Sequence, residues 1–136
     1  MSFAMSGPLQ RAVYETLNAD SALGGIVGSA IYDAVPTGTL PVIYVRLGSE
    51  EVRDASDGSG AGAVHRFTVS VITSSPGFAQ AKEAAAAISD VLHDGDLVLS
   101  RGRLVSLRFE RARAARVEAA ATRQIDLRFA ARVQDD

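Results

Sequence analysis

Two histidines, His65 and His93, are the only imidazoles in a 136-residue chain that has no cysteine. Zinc chemistry would need the fold to bring both to a carboxylate, because no close-spaced pair such as a helical i, i+4 His motif is present. Their positions favour simpler roles: His93 as a cation at a helix end, and His65 as an exposed strand residue. The absence of cysteine removes disulfides, thiolate metal ligands and cysteine nucleophiles. Gly58-Ser59-Gly60-Ala61-Gly62 has the small residues that let backbone N–H groups approach an anion. It lacks the Lys-Ser/Thr of a P-loop and leads into a strand, so it reads as a loop. Asp94 and Asp96 flank Gly95 and read as turn formers. No nucleophile, base and oxyanion donor can be named together. The chain is therefore expected to be neither an enzyme nor a cofactor or metal protein.

Charge is the stronger signal. Residues 1–100 hold five basic and eleven acidic side chains, whereas residues 101–132 hold nine arginines against Glu110, Glu118 and Asp126. Segregation of this kind favours contacts between copies of the chain or with an acidic partner; the same residues could equally alternate on solvated strand faces. Sequence-specific nucleic-acid binding is not expected at a pI of about 5.6 with Phe109 and Phe129 on inward faces. Transient contact with DNA in a channel stays open.

The length fits one domain. No apolar run reaches the roughly 18 residues of a membrane span, and no basic segment followed by an apolar one opens the chain. Ser6-Gly7-Pro8 starts a helix, on which Leu9, Ala12, Val13, Thr16 and Leu17 form one apolar face. Residues 21–23 add a turn, and Gly24, Gly25 and Gly28 prevent continuation. Strands are expected at 31–35 and 42–47, the second with Pro41 at its start. Residues 50–63 have Val52 as their one large apolar side chain, which predicts a flexible loop.

Residues 64–73 alternate with period two, placing Phe67, Val69 and Val71 opposite Arg66, Thr68 and Ser70. Ser75 as N-cap and Pro76 as first helical residue open a second helix, with Phe78, Ala81, Ala85, Ile88 and Leu92 on one stripe. Residues 97–99 and 104–109 form a hairpin around Ser100-Arg101-Gly102-Arg103, with Val105, Leu107 and Phe109 inward. Residues 112–121 read as its extended end plus a loop. Residues 122–133 carry the cleanest alternation, with Ile125, Leu127, Phe129, Ala131 and Val133 on one side. The expected class is α+β: a mostly antiparallel sheet of about five to six strands packed with two helices.

A resemblance sharpens this. The segment Ile31-Tyr32-Asp33-Ala34-Val35-Pro36, a Thr/Gly turn, and Pro41-Val42-Ile43-Tyr44-Val45-Arg46-Leu47-Gly48 follow an amphipathic helix and precede an Ala-rich one. This pattern resembles the tail terminator, or tail completion, proteins of long-tailed phages and gene transfer agents. The order of strand 67–72, Pro76-Gly77, Ala-rich helix and closing strand pair is similar too. Ile72-Thr73-Ser74 stands where family members often carry a tryptophan.

The resemblance implies a structural virion protein, made in the host cytoplasm and located at the tail–head junction. It would cap the head-proximal end of the tail tube, stop polymerisation and offer the surface for head joining. Implied partners are further copies in a six-membered ring, the tail tube protein and the head–tail connector or stopper protein, with no membrane. Candidate subunit or tail contacts are Glu50, Glu51, Arg53, Asp54, Asp57, Arg108, Arg128 and Arg132. A head-completion or neck protein, and a small cytoplasmic α+β ligand-binding module, remain alternatives at this point.

Overall fold

The alternating segment near the end of the sequence becomes an inner strand of the sheet. The computed structural model describes residues 3–58 and 60–135. In chain order the elements are α1 (Ser6–Ala19), α2 (Ser21–Val27), β1 (Ile31–Tyr32), β2 (Ile43–Asp54), β3 (Ala61–Thr73), α3 (Ala79–Leu92), β4 (Arg103–Val117), a 3-10 turn (Glu118–Ala120) and β5 (Thr122–Asp135). The five strands form one sheet in the order β1-β2-β3-β5-β4. Only β1 and β2 run parallel; the other pairs are antiparallel. The class is α+β, as the patterning predicted, with three α-helices in place of two.

The helices pack on one face. Leu9, Val13 and Leu17 of α1, Leu23 and Val27 of α2, and Ala81, Ala84, Ala85, Ile88 and Leu92 of α3 are all buried. They join Val45, Val69, Val71, Ile125, Leu127 and Phe129 of the sheet in one core. Alanines on α3 let its backbone approach the sheet closely. At mid-sheet, Phe67, Phe129 and Phe109 are register partners on three adjacent strands. Phe129 stacks on Phe67 at 5.6 Å and meets Phe109 edge-on at 5.9 Å.

Residues 21–27 are helical despite Gly24 and Gly25. Each glycine costs about 1 kcal/mol relative to alanine, but Asp20 accepts the Leu23 N–H at 3.0 Å and two buried side chains anchor the turn. Gly28, at φ +60°, ends it. Helix α3 begins later than expected: Gly77 turns the chain at φ +89° and Phe78 takes the N-cap position, so neither Ser75 nor Pro76 starts the helix. The first expected strand shortens to Ile31–Tyr32.

The largest departure is at residues 50–63. They are mostly hairpin and not loop: Glu50–Asp54 pair with Phe67–Ala63, and Asp57 bridges Gly60 beyond the strand ends. Ala55 N–H donates to Gly62 O at 2.8 Å and Asp57 N–H to Gly60 O at 3.0 Å. The segment is poor in apolar side chains because a ladder of backbone hydrogen bonds holds it. Val52 still packs against the core.

Residues 97–99 do not form a strand, although Leu97 and Leu99 are buried. Strand β4 instead starts at Arg103 and carries register shifts between Leu104 and Ser106 and between Phe109 and Arg111. Only Leu107 of the expected inward trio is fully covered; Val105 is 45% exposed and Phe109 38%. Extended backbone at residues 112–117, followed by the 3-10 turn and Ala121 at φ +51°, matches the expected hairpin end and loop.

Candidate interaction surface

His65 lies on the helix side of β3 and is fully buried, contrary to the exposed position expected of it. Its parity is that of Phe67 and Val69, so the strand alternation turns it inward. Its Nδ1 is 3.2 Å from Glu50 Oε2, while Ser6 Oγ donates to the other carboxylate oxygen. His65 Nε2 has no hydrogen-bond partner among the described residues. A hydrolytic relay would place the imidazole on the serine; here the carboxylate stands between them. The cluster clamps the start of α1 to the β2–β3 hairpin and leaves the Glu50 side chain 18% exposed.

Burial pushes the Glu50 carboxyl up, but hydrogen bonds from His65 and Ser6 and the imidazole charge together hold it below its ordinary 4.5. A depressed carboxyl contributes stability above its unfolded value and loses it as pH falls through the folded one. Melting temperature is therefore expected to fall as pH drops below about 4.5, and Glu50→Gln to flatten that part of the profile while lowering stability at pH 7. A profile unchanged by the substitution would assign acid sensitivity to other groups.

His93 caps α3 and accepts the Phe109 N–H on Nδ1 at 3.0 Å. The imidazole thus ties the helix end to β4, and its Nε2 stands 3.4 Å from Asp94 Oδ2. Asp94 forms the turn at φ +56°. Among the described residues no group of three or more His, Cys, Asp or Glu could hold a metal ion. Nor is the glycine run an anion cradle. A Cβ on Gly60 would stand 2.2 Å from the Gln134 side-chain nitrogen, and one on Gly62 3.0 Å from Ala55 O, so the small residues admit neighbouring chain. Ser59 lies outside the described residues.

The opposite face of the sheet carries no helix among the described residues, and the strand registers place charge there in rows. Arg46 of β2, Ser70 of β3, Asp126 of β5 and Arg113 of β4 form one cross-strand row. Thr68, Arg128 and Arg111 form the next, then Glu51, Arg66, Ala130 and Arg108, then Arg53, Val64, Arg132 and Ser106. Successive rows are two residues, about 6.8 Å, apart. Every row holds two arginines. The four rows thus bring eight arginines together with the carboxylates of Glu51, Glu110 and Asp126.

Glu110 is held between Arg66 at 3.3 Å and Arg128 at 3.4 Å, and Asp126 accepts hydrogen bonds from Ser70 at 2.5 Å and Gln124 at 2.8 Å. Arg46, Arg108, Arg111 and Arg113 make no ion pair among the described residues. A depression of about 590 Å3 opens between Arg46, Arg111, Arg113 and Arg128. Of the eight residues singled out from sequence, Glu51, Arg53, Arg108, Arg128 and Arg132 meet on this face. Glu50 turns to the other. Asp54, which accepts from Ser56 Oγ at 2.7 Å, and Asp57 sit at the hairpin end. Arg46, Arg66, Arg111 and Arg113 were not singled out; the Arg-Ala-Arg-Ala alternation at 111–114 was the available signal.

No helix among the described residues is long and apolar enough to cross a membrane. No curated protein matches the sequence at a significant level. One solved structure is 62% identical over 98% of this chain and 99% of the matched chain, with a TM-score of 0.92; it is described as the virion of a native gene transfer agent particle. The family model for tail completion protein gp17 matches residues 11–134. With that match spanning nearly the whole sequence, the chain belongs to the tail completion protein gp17 family.

Proposed function

We propose that this structural virion protein caps the head-proximal end of a tail tube, stops tube polymerisation and provides the surface to which the filled head joins. The observation that carries the reading is the family match over residues 11–134, with the full-length similarity to a gene transfer agent virion chain beside it. A six-membered ring is the proposed assembly, with the tail tube protein and the head–tail connector as axial partners.

The fold is suited to such a ring. Closed cyclic contacts are heterologous and need two unlike surfaces on each subunit. The sheet edges are unlike: β4 offers 15 residues and β1 two. Beside β4, a groove of about 290 Å3 between α3 and the strand is lined by Ala85, Ala86, Phe109, Ala112 and Ala114. Neighbours placed at the two edges leave the hairpin end, with Asp54 and Asp57, for an axial partner. A charged side chain in the groove, Ala114→Glu, is then expected to block ring formation without unfolding the subunit, as read by sedimentation beside circular dichroism.

The deciding experiment is negative-stain microscopy of particles from a host lacking this gene. Unattached tails of excessive or uneven length beside filled heads are the expected result. Free tails of normal length with leaking heads would move the protein to the neck, and intact particles would remove it from assembly altogether.

A further inference from the structure

We propose that the open face of the sheet binds the phosphate backbone of duplex DNA without reading its sequence. The four arginine rows are the basis. Three intervals of about 6.8 Å make a ladder about 20 Å long with a pair of guanidinium groups at each step. A compact anion would need convergent donors at one point, whereas a ladder fits a linear polyanion. Duplex DNA carries one charge per roughly 1.7 Å of axis with both strands counted, so a length matching the ladder holds on the order of twelve phosphates, part of which face the sheet.

The side chains are also the right kind. Guanidinium forks bind phosphate oxygens bidentately, and Arg46, Arg108, Arg111 and Arg113 are not engaged by carboxylates of the described chain. The depression between rows gives a backbone ridge somewhere to sit. Aromatic rings stand only at one margin of the ladder, where Tyr32 is the register partner of Arg46 and meets Tyr44 at 5.9 Å; the other three rows hold none. Single-stranded DNA would be held largely by base stacking along a series of such rings; with rings at one margin and arginines through the rest, this surface favours an intact duplex. Glu51, Glu110 and Asp126 among the arginines oppose tight retention.

Arg108, Arg128 and Arg132 are thereby assigned to a nucleic-acid contact in place of a contact between subunits. The inference does not rest on tail capping, since binding in solution is read apart from tail length.

The test is fluorescence anisotropy of the full chain with a labelled duplex of mixed sequence across a salt series. About four phosphate contacts give a slope near −3.6 in log affinity against log salt, with no preference between scrambled sequences. The double variant Arg111→Ala/Arg113→Ala is expected to reduce that slope by about 1.8, and Arg108→Ala by about half as much. Lys82→Ala, on the helix layer, leaves it unchanged. Circular dichroism of each variant separates loss of contact from loss of fold. Absence of salt-dependent binding would overturn the proposal. So would equal slopes for the native chain and the double variant, tighter binding of single strands than duplex, or a glutamate-rich polypeptide binding as well as DNA. The last result would assign the face to an acidic protein.

Discussion

Replacing Phe129 by alanine is expected to lower unfolding free energy by about 4 kcal/mol, the usual cost of a buried Phe→Ala change. The ring is fully buried and is the middle member of the row with Phe67 and Phe109. Its removal takes away core volume and also two aromatic contacts, each worth about 0.5–1.5 kcal/mol beyond area. The surrounding β5 residues pair on both sides with β3 and β4, so the backbone has little room to collapse into the space. With total stability of domains on the order of 5–15 kcal/mol, such a loss removes a large share of it. Urea unfolding measures the effect as a lower midpoint at unchanged slope. Phe109→Ala is the comparison, since that ring is 38% exposed and should cost about half as much. Equal losses at the two sites would mean that the central ring is not what holds the three strands in register.

Gly102→Ala should cost about 3 kcal/mol for a different reason. The residue has φ +61°, where a Cβ adds about 1–2 kcal/mol. That Cβ would also stand 2.2 Å from Gln134 O and 2.8 Å from Met5 Cε, and relief of such overpacking costs about 1–3 kcal/mol. Gln134 O belongs to β5 backbone and cannot swing aside. Three parts of the chain meet here: the entry to β4, the end of β5 and the residue that precedes α1. Gly28→Ala is the control, because its φ is also positive but no atom lies within 4 Å of its Cβ position. A thermal melt should show a drop of about 10 °C for Gly102→Ala and a clearly smaller one at Gly28. Equal drops would locate the penalty in backbone conformation alone.

Alternation and helical stripes carried most of the fold into the sequence. The inward residues of β5 and the α3 stripe follow from side-chain periods of two and 3.6, which depend on local geometry alone. Residues 50–63 were not legible that way, because apolar count says nothing of a hairpin whose arms are held by main-chain bonds. Helix α2 was hidden by its glycines, and the shifts in β4 break the period that would have told where Val105 and Phe109 point. The arginine face was half legible. Arg128 and Arg132 stand out on a regular strand, but their meeting with Arg46, Arg53 and Arg66 depends on the pairing of distant strands. His65 could have been read as buried from its parity with Phe67, had its polarity not argued the other way.

The strand order also governs when the sheet can exist. Among the described residues β4 pairs with β5 alone, while β5 follows both of its neighbours in the chain and lies between them. As the chain emerges, β1, β2 and β3 can associate beneath the helices, but β4 has no edge to join. A fragment that ends before residue 122 would therefore leave β4 unpaired as well, and with it Arg108, Arg111 and Arg113. The sheet is complete only once β5 has been made, so fragments that lack it cannot display the finished arginine surface.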